Sequence, residues 1–521
     1  NMVKLDKYVH LPTKTKIRPS LLNGYDGPPK TLPSFLTRDD EDYPHEKSPL
    51  VAGCEKHGVL TKNPSQDMVN TLIDALWSAE YIRMKPLILD PKKLSRAEAV
   101  RGFAIDGYEP LKLNTSMGYP FVYETSKQKK DYIVVTEDPE IGDRAVLFRR
   151  DLIEHLDEID KQRFNLIIPF LPYIDELKDE RKKILKRLKL GGTRVFCMSP
   201  ISNTMAGRQN FLHFAAAYKA NCINFQHAVG IARDGPQWSL LANELITMSN
   251  NIICLDYSNF GPGYNAMFCA GAHELIVRWT KTYVAGINQN ELQILGEEHY
   301  NSKHVMYDYV YRQFSGGPSG DSLTVVKNGI VNELYILFAW CGIIRGVAEL
   351  NDFGENLDLV ELYFRNVRTF VYGDDVIMAV SDAYIDRFNG ITISDFLKTY
   401  DIGVTSANKS GEIVRCVGID EATFLKSAFK PHPIHFGEWL APMDIDSIEE
   451  TPRWINECTN HVEATRVNAE AALRLSYGHG PEYFARFKEK LNFALGNAEI
   501  PGLTLTWSEL DQNFFSNYYL K

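Results

Sequence analysis

The sequence predicts an α+β protein, and three observations carry that expectation. Thr369-Phe370-Val371 and Val376-Ile377-Met378-Ala379-Val380 flank Tyr372-Gly373-Asp374-Asp375, and both runs are apolar, aromatic or β-branched. They read as two strands joined by a tight Gly-Asp turn. A further strand candidate, Asn250 to Leu255, ends in Asp256 and opens into the turn Tyr257-Ser258-Asn259-Phe260-Gly261-Pro262-Gly263-Tyr264. Helical spacing dominates from Glu449 onward, where Trp454, Ile455, Val462, Ala471, Leu473, Phe484, Phe487 and Leu491 suggest a separate C-terminal helical domain.

With 521 residues the chain has room for three or so subdomains. Hydrophobic content of 44% and charged content of 24% are ordinary for a soluble globular protein. Lys and Arg number 57 against 67 Asp and Glu, a net charge of −10, so any surface for nucleic acid must be a local one. Eight cysteines without a Cys-x-x-Cys pair or a His-rich segment argue against zinc and against a disulfide framework. Reduced thiols in a cytosolic protein fit that pattern. No signal peptide is expected at the N-terminus. Leu334 to Ile344 is too short to span a bilayer and reads as a buried helix.

Residues 1 to about 60 are rich in proline, glycine and polar residues, and little regular structure is expected there. Leu21, Leu22, Phe35 and Leu36 give the stretch apolar anchors, as a strap laid across other domains requires. Asp67 to Met84 has helical spacing at Met68, Leu72, Ile73, Leu76 and Trp77, and Phe148 to Ile159 again looks helical. Between them, Thr115-Ser116-Met117-Gly118-Tyr119-Pro120 is a compact loop able to approach a phosphate backbone, although an ordinary turn before proline explains it as well.

Lys178 to Lys189 holds seven basic residues against two acidic ones. Such a run reads first as a solvated helix face. It leads into Gly191-Gly192-Thr193-Arg194, where flexible glycines would let a guanidinium fork reach a phosphate. Gly271 to Val284 reads as an amphipathic helix. Ser315 to Thr324 is a small-residue loop feeding an apolar helix over about Leu323 to Ile344. Thr324 and Asn328, four apart, share one helix face and need partners: a ribose, or simply neighbouring backbone. Glu349 to Glu361 is an acidic insertion expected at the surface. Ile391 to Tyr400 is helical, Gly403 to Ser410 is a polar loop with Lys409, and Ala422 to Lys426 is a short strand.

Chemically, the Asp374-Asp375 pair is the sharpest feature. Adjacent carboxylates repel and are costly to desolvate unless a cation is shared. A divalent metal resolves that conflict, and Asp256 at a strand end offers a third oxygen ligand. A plain exposed turn, with Asp256 as a cap, is the alternative.

Taken in order, these loops resemble the RNA-dependent RNA polymerases of picornavirus-like positive-strand RNA viruses, most of all those of insect iflaviruses and dicistroviruses. Asp256 is similar to the first metal ligand of the family's motif A. Ser319-Gly320, Thr324 and Asn328 match motif B, Tyr372-Gly373-Asp374-Asp375 matches motif C, and Lys409 falls in motif D. Phe424-Leu425-Lys426 resembles motif E, Thr115 to Pro120 resembles motif G, and Lys178 to Arg194 resembles the basic motif F. The likeness covers nearly the whole chain, and seven motifs in the right order make it specific.

Four departures stand out. Gly261 occupies the position of the second motif A aspartate, which in the family helps read the ribose. Gly192 replaces the motif F lysine. Asn1 stands where the family has a terminal glycine. The acidic insertion lengthens the stretch between Asn328 and Asp374.

The resemblance implies a right hand: fingers with N-terminal straps over 1–212, palm over 213–295, a fingers segment over 296–316, palm again over 317–430, and a helical thumb over 431–521. It implies template-directed RNA synthesis by two-metal nucleotidyl transfer, with Mg²⁺, for which Mn²⁺ substitutes, held by Asp256, Tyr257, Asp374 and Asp375. Arg194, Lys178, Ser319, Gly320, Thr324 and Asn328 would bind the nucleotide, Thr115, Ser116, Gly118 and Lys426 the RNA, and Lys409 would be the general acid. Expected partners are template and primer RNA, ribonucleoside triphosphates, a genome-linked protein primer and other viral replication proteins. Those proteins would bring it, without direct membrane insertion, to membrane-associated complexes in the host cytoplasm. A reverse transcriptase would share the carboxylates, but Gly261 cannot supply the bulky aromatic such enzymes place there. A non-catalytic RNA-binding scaffold leaves the co-occurrence of Asp256, Lys409 and the motif B loop unexplained.

Overall fold

The computed structural model describes residues 2–137, 144–345, 353–407 and 411–516. Its centre is a four-stranded antiparallel sheet in the order Val367–Tyr372, Asp375–Val380, Ile252–Tyr257, Val404–Ser406. Tyr372 pairs with Asp375, so Gly373 and Asp374 are the two residues of the turn. Gly373 has a φ of 63°, the left-handed conformation such a turn demands.

Both faces of this sheet are covered, and side-chain alternation decides which residue goes where. Val376, Met378 and Val380, with Ile253 and Leu255, pack into one core with the helices Thr324–Ile344, Ala266–Tyr283 and Gly390–Lys398. Ile377, Ala379 and Ile252 face the opposite core, with Trp238, Leu241 and Leu245 of the helix Pro236–Met248. Leu334 to Trp340 is fully buried, as its uninterrupted apolar run foretells.

A second sheet of five strands has the order Val3–Lys4, Tyr309–Arg312, Lys303–Met306, Tyr173–Leu177, Val195–Met198. At the C-terminal end, the helices His461–Leu475, Pro481–Asn497 and Trp507–Asp511 gather around Leu473, Phe484, Phe487 and Leu491.

The N-terminal stretch joins these bodies. Ile17–Pro19 pairs with Trp454–Asn456, and Thr31–Pro33 pairs with Arg181–Lys183. Leu22 is buried within the C-terminal helical core, Arg453 donates to the carbonyls of Asn23 and Gly27 at 2.7 Å each, and Thr31 Oγ1 donates to Glu450 at 2.5 Å. The strap is therefore more regular than proline and glycine content suggests, with three short strands and a helix Pro49–Cys54. Strand pairing with distant partners supplies the order that local propensity withholds. Leu22, Phe35 and Leu36 are anchors; Leu21 is not, being 50% exposed.

Three other expectations need correction. The basic run 178–189 is not a solvated helix: Arg181–Lys183 is a strand held by the strap, and only Ile184–Arg187 makes a helical turn. The strand at 422–426 shrinks to Thr423–Phe424, because Leu425 and Lys426 take φ of 52° and 61° to turn into Ser427–Ala428. Within the acidic insertion, residues 349–352 lie outside the described residues. The remainder belongs to a helix, Phe353–Asn366, whose Leu359 and Val360 are buried and whose Leu359 carbonyl accepts from Trp340 Nε1 at 2.9 Å. Leu359 and Val360 are thus core, while Glu361 at the end of the insertion is exposed as expected.

Candidate active site

Asp256 sits near the end of Ile252–Tyr257, and its Oδ1 accepts from the Tyr257 amide at 2.8 Å. Ladder pairs run Ile377 with Cys254 and Val376 with Leu255. One step further along this register sets Asp375 beside Asp256, on the same face of the sheet. Asp374 stands exposed on the turn and makes no side-chain hydrogen bond among the described residues. Asp256 and the Asp374-Asp375 turn thus lie at the same end of the sheet, though among the described residues their carboxylate oxygens do not all close to within 4.8 Å of one another. Together they offer an all-oxygen donor set suited to a hard divalent cation.

Tyr257 has its side chain buried, with the hydroxyl donating to Asn332 Oδ1 at 2.9 Å. Burial pushes this phenol well above its ordinary range, so only its main-chain carbonyl is left as a metal ligand. Asn332 Nδ2 in turn donates to the carbonyls of Gly373 at 3.0 Å and Asp375 at 3.4 Å. This fully buried amide ties the motif A strand to the Gly-Asp turn. Its sequence signal is an asparagine one helical turn after Asn328 on an otherwise apolar helix.

The strand Val195–Met198 and the residues beside it organise the opposite wall. Arg194, just before it, binds both oxygens of Glu180, with Nε at 2.8 Å from Oε1. The Glu180 hydrogen bonds, and then the charge of Asp374, raise the Arg194 guanidinium further above its ordinary value. Cys197 donates its amide to Ser319 Oγ at 3.1 Å, and a Cβ on Gly320 would lie 1.7 Å from the Cys197 carbonyl oxygen. A Cβ on Gly118 would lie 2.4 Å from the Ser199 carbonyl oxygen. One stretch of backbone therefore seats the Arg194, Ser319 and Gly118 segments together, and glycine is what lets two of them approach. Lys178 is exposed, with its amide donating to the Arg194 carbonyl at 2.8 Å.

Thr324 and Asn328 part company. Thr324 Oγ1 donates back to the carbonyls of Asp321 at 2.7 Å and Ser319 at 3.1 Å, bracing the loop. Asn328 is half-buried and has no side-chain partner among the described residues. Asp321 pairs with buried Lys327 at 3.2 Å. Burial works to raise the Asp321 carboxyl, but Lys327 and His299 outweigh it and hold it below the usual carboxylate range.

In the loop 115–120, Ser116 Oγ accepts from the Gly118 amide at 3.1 Å. The organiser is Lys129, which sequence reasoning missed: its ammonium donates to Thr115 Oγ1 at 2.8 Å and to the Ser116 carbonyl at 2.5 Å. Burial lowers its pKa to about 8. Lys426 is exposed at the tip of the short hairpin Thr423–Ala428. Lys409 lies outside the described residues.

Both glycine departures have local causes. A Cβ at Gly192 would meet the carbonyl oxygens of Lys186 at 2.3 Å and Lys189 at 2.8 Å, so no lysine fits there. Gly261 has a φ of 84°, and its carbonyl accepts from the Gly317 amide at 2.8 Å, which binds the motif A turn to the motif B loop.

Comparison with known families decides what this constellation belongs to. The model for the viral RNA-dependent RNA polymerase family matches residues 62–493. The chain belongs to that family. Over 96% of its length this polymerase is 32% identical to part of the genome polyprotein of Deformed wing virus. It is 28% identical over 97% of its length to the genome polyprotein of Rice tungro spherical virus (strain Vt6), and 28% over 91% to the replicase polyprotein of Cricket paralysis virus. It spans 17%, 15% and 27% of those polyproteins. A solved structure described as a Sicinivirus 3Dpol RNA dependent RNA polymerase shares its fold, with a TM-score of 0.80, 19% identity and 98% coverage of both chains. The polymerase therefore has the right-hand fold. Among the described residues, no helix is long and apolar enough to cross a membrane.

Proposed function

We propose that the chain copies RNA from ribonucleoside triphosphates on an RNA template by nucleotidyl transfer, as the replicative enzyme of a picornavirus-like virus. The observation that carries this reading is the register that sets Asp256 beside Asp375, with Asp374 on the adjoining turn and its charge felt by Arg194, which Glu180 holds. In this reading Asp256, Asp374, Asp375 and the Tyr257 carbonyl hold divalent ions, Mg²⁺ in the first place. Bound there, such ions acidify the primer 3′-hydroxyl and offset triphosphate charge.

The chain's own residues do the rest. Arg194 and Lys178 clamp the phosphates, a task for which a forked guanidinium is suited. Asn328, with an amide to spare, reads the ribose in place of the aspartate that Gly261 lacks, while Ser319, Gly320 and Thr324 keep that loop in register. Thr115, Ser116 and Gly118 guide template backbone, Lys426 supports the primer, and Lys409 protonates the pyrophosphate leaving group. The domain limits 1–212, 213–295, 296–316, 317–430 and 431–521 for fingers, palm, fingers, palm and thumb belong to the same proposal. So do a genome-linked protein primer, other replication proteins as partners, and assembly on host cytoplasmic membranes.

The test is extension of an RNA primer on an RNA template with ribonucleotides and Mg²⁺. Asp374→Ala is expected to abolish extension while thermal unfolding stays unchanged. Undiminished extension in that variant would overturn the metal assignment. Extension by neither protein, alongside retained RNA binding, would favour a scaffold.

A further inference from the structure

Away from the carboxylates, a second group of ligand-bearing side chains closes on itself beneath the five-stranded sheet. Asp175 and His304 are fully buried, His57 is nearly so, and one ligand atom from each lies within 4.8 Å of the other two. Cys54, three residues before His57, directs its Sγ at Asp175 Oδ2 from 3.7 Å. A carboxylate this deep is costly unless positive charge meets it. Among the described residues no lysine or arginine forms an ion pair with Asp175; its neighbours are imidazoles, a phenol and a thiol.

We propose that Cys54, His57, Asp175 and His304 hold a structural zinc ion. One sulfur, two ring nitrogens and one carboxylate oxygen are a donor set for tetrahedral zinc, since thiolate and imidazole both select against Mg²⁺ and Ca²⁺. Zinc bonds of about 2.0–2.3 Å place ligands roughly 3.3–3.8 Å apart. The sulfur–oxygen separation of 3.7 Å meets that spacing. His304 Nδ1 and Asp175 Oδ1, in direct contact at 2.8 Å, must part by about half an ångström, and pairs nearer the 4.8 Å limit must close. Binding deprotonates the Cys54 thiol, and its proton leaves to solvent.

The surrounding groups suit a metal. His304 Nε2 lies 2.8 Å from Ser302 Oγ, and His57 Nδ1 lies 2.6 Å from the Tyr311 hydroxyl. A hydroxyl donates or accepts as required, so each ring can place its proton on the hydroxyl side and a lone pair inward. A second triad, His432, His435 and Asp511, is equally tight but fails this criterion. His432 Nδ1 accepts from the amides of Ile434 at 3.2 Å and His435 at 3.1 Å. That fixes the proton on Nε2, the atom facing Asp511, and leaves no lone pair there.

The absence of a Cys-x-x-Cys pair, which argues against zinc in the sequence, does not bear on such a site. Its ligands come from three distant stretches, and one alone is cysteine. Its place is informative too. Asp175 lies three residues before Lys178, and its cross-strand partner Cys197 lies three after Arg194. The ion would brace the N-terminal segment against Tyr173–Leu177, the strand that leads into the basic arm, and against its neighbour Lys303–Met306.

The test is the metal content of the full-length chain, dialysed and measured by mass spectrometry. About one zinc per chain is expected in the wild type and in Asp374→Ala and His432→Ala, and little in Cys54→Ser, His57→Ala or His304→Ala. Should those variants fold poorly, the wild type decides: stripping it with a zinc chelator should lower its melting temperature, and Zn²⁺ but not Mg²⁺ should restore it. Wild-type protein that carries no zinc and gains no thermal stability from added Zn²⁺ would overturn the proposal. So would zinc retained in all three ligand variants, or lost only with His432.

Discussion

Asn332 accepts the Tyr257 hydroxyl at 2.9 Å, and the same buried amide donates to the turn carbonyl of Gly373. The two carboxylate-bearing strands are thus held in phase by a residue that meets neither metal nor substrate in the proposed mechanism. Asn332→Ala leaves the Tyr257 hydroxyl and the Gly373 carbonyl without this partner, a loss of about 1–3 kcal/mol. Primer extension is expected to fall at least about tenfold, through kcat more than KM, because a carboxylate displaced by even a fraction of an ångström loses its alignment. Tyr257→Phe should do less harm in both thermal unfolding and steady-state assays.

Gly192→Lys would restore the family's motif F lysine, yet it is expected to weaken the enzyme. The new side chain meets carbonyl oxygens at 2.3 and 2.8 Å, backbone that cannot step aside without uncoiling the turn Ile184–Arg187. A stability loss of about 1–3 kcal/mol, with higher KM for nucleotide, is the expected outcome of unfolding and kinetic measurements.

Asn328→Ala and Thr324→Ala should separate two functions. Loss of Asn328 is expected to reduce discrimination between ribo- and deoxyribonucleotides, measured as the ratio of kcat/KM values. Loss of the Thr324 hydroxyl frees the Ser319 and Asp321 carbonyls and should reduce incorporation of both sugars alike. An unchanged sugar ratio in Asn328→Ala would remove that residue from ribose reading.

Lys129 makes a prediction about pH. Its folded-state pKa is lowered by burial to about 8, below the ordinary lysine value of 10.5. The unfolded chain therefore binds more protons between pH 8 and 10.5, and stability from this group rises across that window. Below pH 8 the burial penalty is fully present. Comparing wild type with Lys129→Met by denaturant unfolding, the wild type should gain on the variant as pH rises from 8 towards 10, by at most about 3 kcal/mol.

Legibility in the sequence followed the physical range of each signal. The hairpin at Tyr372 to Asp375, the strand ending at Asp256 and the helix through Leu334 to Ile344 announce themselves by local pattern and turn chemistry, and the structure has all three. The run 178–189 misleads because its conformation is set by a strap some 150 residues away, which no local periodicity encodes. Leu21 and Leu22 look alike in sequence, and only the docking of the strap decides that the second is buried. Lys129 and Asn332 escaped notice because each acts on loops that folding alone brings near. Gly192 and Gly261 look like lost function when read by position, and become steric and conformational necessities once their neighbours are known.

The strap carries a consequence for how the molecule is made. Ile17–Pro19 has its strand partner at Trp454–Asn456, so the ring it completes cannot shut until almost the whole chain has left the ribosome. Ordering so distant a contact loses loop entropy long before any burial compensates, which makes enclosure a late and slow event of folding. Until then Leu22 and the apolar helices that receive it face solvent together. A translating polymerase accordingly spends its synthesis time as an open hand, and cleavage at residues 20–22 before closure would detach the strand Ile17–Pro19 from the chain that carries its partner Trp454–Asn456, while leaving Thr31–Pro33 free to brace the basic arm.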